Sequence, residues 1–157
     1  MAMNLKVYWH PPVRLVDGRK DNLIYSCDWE RIPEGPGVYM FGRLFAGSFA
    51  PLYIGKSKGV AGRIWQHLAG NIPLMMKLKN GAKNGQRVVV AGEWQSSRGQ
   101  NARKALGLIE SALIKHSLLQ GHDIFNDKMT KTVSNTITRT GHTAHGFLPK
   151  HMKIEVR

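Results

Sequence analysis

Apolar and polar residues are arranged in three strand-like runs across the middle of the chain. Val38 to Phe41 and Leu52 to Lys56 are short runs rich in β-branched and aromatic residues, and QRVVVAGEW, residues 86–94, is the plainest strand in the sequence. Pro33, Gly35, Pro36 and Gly37 break any helix and start the first run. The stretch GRLFAGSFAP, residues 42–51, reads as a loop. Strands near 37–42 and 51–56 are therefore predicted to pair as an antiparallel hairpin with a long loop, with 86–94 in the same sheet. Helical spacing follows. RIWQHLAG is predicted as a short helix closed by Gly70, and a second short helix starts near Ile72 and stops near Asn80-Gly81. A long helix runs from Asn101 to Leu119, with Ala102, Leu106, Ile109 and Leu113 on one stripe and Gly121 as its stop. The expected fold is a small α/β domain of the α+β type, a mainly antiparallel three-stranded central sheet flanked by helices. The first 34 residues mix Trp, Pro and paired charges and read as irregular, with room for one short strand. The tail from Thr130 is polar and weakly patterned, with one candidate strand at Met152 to Val156.

Composition changes this picture little. A chain of 157 residues with 42% hydrophobic content suits a single domain, 1–157, able to bury its own core. The single cysteine, Cys27, excludes an internal disulfide and argues against a cysteine-based metal site. The start has no apolar run of signal-peptide length and no later run is long enough to span a bilayer, which predicts a soluble, cytoplasmic protein with no membrane partner.

Charge changes it more. Residues 1–34 carry five basic and five acidic side chains, net zero; residues 35–92 carry eight Lys or Arg and no acid, net +8; residues 93–157 carry ten basic and five acidic, net +5, which together give +13. Packing requires no such segregation. A surface that neutralises phosphates and releases their counterions does. A nucleic-acid partner is the natural reading, and a merely solvated basic surface is the alternative.

Several residues stand out as candidate chemistry. Glu110 lies on the long helix with Leu106, Ile114 and Ser117 as axial neighbours, at the edge of the apolar stripe. A carboxylate there needs a partner, and two kinds satisfy it: a Lys or Arg in an ion pair, or a metal ion. Arg63 and His67, at i and i+4, share a helix face, either as donors for phosphodiester oxygens or as a solvated face. Other templates fail. The Gly-Lys-Ser at 55–57 lacks the glycine that a phosphate-binding loop needs at Ala50, and there is neither a nucleophile elbow nor a paired-cysteine zinc motif.

In order along the chain, Gly37-Val38-Tyr39, Tyr53-Ile54-Gly55, Lys56, Arg63 with His67, Glu110 on the long helix and Asn126 after it resemble the signature of the GIY-YIG endonucleases, with Val38 in place of the usual Ile. The resemblance spans residues 35–128, leaves 1–34 and 129–157 as unassigned extensions, and places more residues between the two tyrosines than is usual in the family. It implies metal-dependent hydrolysis of phosphodiester bonds in double-stranded or branched DNA, with RNA as a further candidate substrate. Restriction-type, mobile-element and structure-selective repair nucleases all fit.

Within that resemblance each residue has an implied role. Glu110 would hold one divalent ion, Mg²⁺ first and Mn²⁺ second. Arg63 would clamp the scissile phosphate, and His67 would add a donor or protonate the leaving group. Tyr39 is the candidate base, Tyr53 would orient the water or share that role, and Lys56 would favour the phenolate. Asn126 would brace the site through hydrogen bonds, and the glycines would let backbone approach a phosphate. The competing reading is a non-catalytic nucleic-acid-binding protein that retains the nuclease fold.

Overall fold

A computed structural model of the chain describes residues 4–81, 84–126 and 135–154. In chain order they form β1 (Asn4–Trp9), β2 (Val13–Arg14), β3 (Val16–Asp17), β4 (Tyr25–Ser26), β5 (Gly37–Phe45), β6 (Ser48–Ser57), α1 (Val60–Gly70), α2 (Ile72–Lys79), β7 (Gln86–Gln95), α3 (Ala102–Leu119), β8 (Asn135–Gly141) and β9 (His151–Ile154), with single 3₁₀ turns at Arg19–Asp21 and Trp29–Arg31. The predicted helices are all present. Asn71 caps the start of α2, accepting from the Leu74 N–H, and Asn101 caps α3 by accepting from the Lys104 N–H.

The sheet corrects the sequence reading. Seven strands join in one large mixed sheet in the order β6-β5-β7-β1-β8-β9, with β2 also paired to β7, while β3 and β4 form a separate two-stranded ribbon. The three strands expected from the central pattern lie side by side at one end of it. The sheet continues because β1, inside the stretch read as irregular, alternates cleanly: Leu5, Val7 and Trp9 are buried between exposed Asn4, Lys6 and Tyr8. β1 pairs antiparallel with β7 (Val7 opposite Trp94) and parallel with β8 (Leu5 opposite Ile137). Those partners lie far along the chain, so local patterning does not reveal them. The candidate strand at 152–156 overlaps β9, and its last two residues, like the tail segment around Lys128 and Thr130, lie outside the described residues.

The hairpin is also tighter than expected. β5 and β6 pair from Gly37 opposite Ser57 to Phe45 opposite Ser48, leaving Ala46 and Gly47 as a two-residue turn. Both have positive φ, 52° and 78°, the mirror-image turn whose twist suits a hairpin. The small residues that read as loop are strand residues here. Phe41 and Gly42 flank a register shift opposite Tyr53 and Pro51, so Leu52 is an extra residue on β6, and Pro51 is tolerated because β6 is an edge strand with a bulge.

β5 is buried on both faces, which explains its unbroken apolar run. On one face Val38 and Met40 pack with Ala105, Ile109 and Leu113 of α3. On the other, Tyr39 and Phe41 pack with Ile64 and Leu68 of α1 and Leu74 and Met75 of α2. Among the described residues, no helix is long and apolar enough to cross a membrane.

Candidate active site at the edge strand

The hairpin sets both tyrosines on one face. Tyr39 lies opposite Gly55 and Phe41 opposite Tyr53, and side chains that share a register position share a side of the sheet, here the side covered by α1. A Cβ at Gly55 would run into Cζ and Oη of Tyr39, and one at Gly37 would strike the Gly92 carbonyl oxygen. The expectation that these glycines leave room for a phosphate is thus corrected: the space at Gly55 holds the Tyr39 ring, and that at Gly37 holds the backbone of β7. Tyr39 is 1% exposed, whereas Tyr53 is only partly buried. Their ring centroids are 6.5 Å apart, and the His67 ring lies 5.6 Å from the first and 5.3 Å from the second.

α1 presents Arg63 and His67 on one face, as their spacing predicts, but to different surroundings. Arg63 is exposed, and its guanidinium donates to Gln66 Oε1 at 2.9 Å. His67 is 3% exposed, with Nε2 2.8 Å from Tyr39 Oη and Nδ1 2.9 Å from the Asn71 amide nitrogen. It therefore stands behind Tyr39 rather than beside Arg63 at a phosphate. Burial first, and the Arg63 charge second, push the His67 imidazole down to about 4, so it is neutral at pH 7.

Burial and then the neighbouring Tyr53 hold the Tyr39 hydroxyl well above the usual phenol range, opposed by the nearby Arg63 guanidinium, while the Glu110 charge adds to the rise. Tyr53 is raised by burial too, with Arg63 opposing and Glu110 adding. Arg63 is thus the cation that favours ionised phenols. Lys56, expected in that role, lies opposite Val38 and so on the other face, where its Nζ is 3.5 Å from Glu110 Oε1. The Lys56 and Glu110 side chains are 44% and 22% exposed, and at Gly107, one turn before Glu110, the bare backbone faces the Lys56 ammonium.

Asn126 closes the arrangement. Its side-chain amide accepts from the Ile54 N–H at 2.8 Å and donates to the Ile54 carbonyl at 2.6 Å, and the Phe125 N–H donates to the Leu52 carbonyl. The segment after α3 thereby acts as a partner for the free edge of β6. One amide satisfies the two backbone groups that a neighbouring strand would have met. All seven residues singled out in the sequence, Tyr39, Tyr53, Lys56, Arg63, His67, Glu110 and Asn126, gather around β6. The sequence reading missed Asn71, whose signal was an Asn one residue before Ile72-Pro73 at a helix start.

Among the described residues no group of three or more His, Cys, Asp or Glu could hold a metal ion. A single partly exposed carboxylate, Glu110, nevertheless fits Mg²⁺, which keeps several waters and takes phosphate oxygens from a substrate. A cleft of about 670 Å³ near the start of β7, lined by Arg14, Tyr25, Lys79 and Arg87, is cationic but distant from this chemistry. Its Arg87 guanidinium is engaged with the Leu78, Asn84 and Gly85 carbonyls, so the tyrosine site remains the better candidate. Comparison of the chain with protein-family models, with curated proteins and with solved structures finds no match.

Proposed function

We propose that the chain is a metal-dependent DNA endonuclease that hydrolyses phosphodiester bonds at a GIY-YIG-type site. The observation that carries this reading is the convergence, around one edge strand, of a buried Tyr-His pair, an exposed Arg and a helix-borne carboxylate. The residues between 35 and 92, which hold eight basic side chains and no acid, form β5, β6, α1, α2 and most of β7. These elements surround the tyrosines with positive charge suited to a phosphate backbone.

The roles follow from placement. Arg63, exposed above the tyrosines, binds non-bridging phosphate oxygens. Tyr39 presents Oη to the attacking water, and the nearby Arg63 charge favours the phenolate that base action needs, against the cost of burial. Tyr53, less buried, orients the water. Lys56 holds the Glu110 carboxylate in place, and Asn126 fixes the strand that carries Tyr53 and Lys56. A divalent ion held by Glu110 would supply positive charge to the phosphate and its leaving oxygen.

Incubation of the purified protein with supercoiled, linear and branched DNA, and with RNA, tests the reading with and without Mg²⁺. Cleavage that needs Mg²⁺ and is abolished by Glu110→Ala, with DNA binding in Ca²⁺ retained, is the expected result. Binding without cleavage by the wild type under every condition would replace the nuclease by a nucleic-acid-binding protein.

A further inference from the structure

We propose that Asn71 sets the tautomer of His67, so that the imidazole carries its proton on Nε2 and donates it to Tyr39 Oη. Asn71 is then a positioning residue for the hydrolysis proposed above, and that consequence rests on the nuclease reading. The tautomer itself does not.

Asn71 is the sole residue between α1 and α2, and it serves both helices. Its backbone N–H donates to the His67 carbonyl at the end of α1, and its side-chain Oδ1 accepts from the Leu74 N–H at the start of α2. The second bond decides the orientation of the amide. Turning it over would set the NH₂ against the Leu74 N–H, donor against donor, in a part-buried position. With Oδ1 committed to Leu74, the group 2.9 Å from His67 Nδ1 is the amide NH₂, which can only donate. Nδ1 must therefore accept. A neutral imidazole that accepts at Nδ1 carries its proton at Nε2, 2.8 Å from Tyr39 Oη.

The direction of that bond matters for chemistry. A donor at Nε2 favours the ionised phenol, because hydrogen bonding to the charged form lowers the cost of forming it. It also bars His67 from accepting the Tyr39 proton, since its one acceptor nitrogen faces Asn71. The phenol's own hydrogen is then directed away from His67, and any proton leaving Tyr39 leaves by another path. His67 thus acts on the site as a fixed donor, and Asn71 makes it one.

The test uses the full chain labelled with ¹⁵N-histidine and two-bond ¹H–¹⁵N correlation spectra. For the wild type at pH 7 the expected result is a protonated Nε2 and a bare Nδ1 at His67. Asn71→Asp keeps an oxygen that caps Leu74, and so keeps the fold, but it offers Nδ1 only acceptors. The ring should then carry a proton on Nδ1, and kcat for DNA cleavage should fall by roughly 10²-fold with KM little changed. Asn71→Ser also retains the cap through its shorter hydroxyl but withdraws the amide NH₂ from Nδ1, and should give mixed tautomers with an intermediate kcat. A wild-type His67 protonated on Nδ1 alone, or an Asn71→Asp variant that keeps the wild-type spectrum, overturns the proposal. Should the expected spectra appear in a protein that cuts no nucleic acid, the tautomer assignment stands and the nuclease reading falls.

Discussion

Adding a single methyl group at Gly55 should disable the proposed nuclease site through packing alone. The new Cβ of Gly55→Ala would overlap Cζ and Oη of Tyr39, and the ring has nowhere to retreat. It is 1% exposed and enclosed by Phe41, His67 and Tyr53, with ring centroids at 5.9, 5.6 and 6.5 Å. Overpacking of this kind costs about 1–3 kcal/mol. For a chain of this size each kcal/mol lowers Tm by about 2–4 °C, so a drop of about 2–12 °C is expected. The ring can relieve the overlap only by moving Oη, which breaks the 2.8 Å contact with His67, and a displacement near 1 Å costs roughly 10²-fold in rate. Thermal unfolding by calorimetry and single-turnover cleavage in Mg²⁺ measure both effects, with DNA affinity in Ca²⁺ as the control for binding. Gly62→Ala is the matched comparison: it sits inside α1 with nothing within 4 Å of its Cβ, and should stabilise by about 0.5–1 kcal/mol with full activity. A Gly55→Ala protein with wild-type Tm and wild-type cleavage would refute the placement of the Tyr39 ring over Gly55.

Stability should also depend on pH through His67, which sits at about 4 when folded against 6.5 in the free side chain. Between those values the unfolded chain binds more protons than the folded one, so stability rises with pH across that window and is lost as pH falls through it. The full shift corresponds to about 3 kcal/mol, reduced toward about 2 by solvent screening on the Arg63 side, and urea titrations from pH 4 to 7 should show the slope in the wild type and its loss in His67→Gln. Asn126→Ala removes both hydrogen bonds to Ile54 and should cost about 1–3 kcal/mol. Hydrogen exchange should then rise first in β6, and uniform exchange along the sheet would show that the Asn126 contacts do not hold that edge.

Much of the candidate site was legible in the sequence because its parts are local. The i and i+4 spacing of Arg63 and His67, the place of Glu110 beside an apolar helical stripe, and two tyrosines next to glycines in strands all follow from the periodicity of single elements. The three helices were legible for the same reason, since each carries its apolar spacing within its own segment, and α2 and α3 also begin at a capping Asn. β1 carries its alternation in Leu5, Val7 and Trp9, but the run is short and is followed at once by His10, Pro11 and Pro12.

What the tertiary structure decided was which of these local features meet. β1 joins the sheet through β7 and β8, at partners such as Trp94 and Ile137, and a three-residue alternation cannot name partners so distant. The glycines read as space in the sequence, but only the pairing of Gly55 with Tyr39 shows that an aromatic ring fills it. Lys56 follows Gly55 directly, yet the alternation of side chains along β6 sends it to the opposite face and to Glu110. His67 shares a helix face with Arg63, but burial turns one into a neutral partner of a phenol and leaves the other in solvent. Sequence determines what each residue can do chemically. Burial, register and the sidedness of a sheet are properties of the assembled chain, and they decide what each residue does.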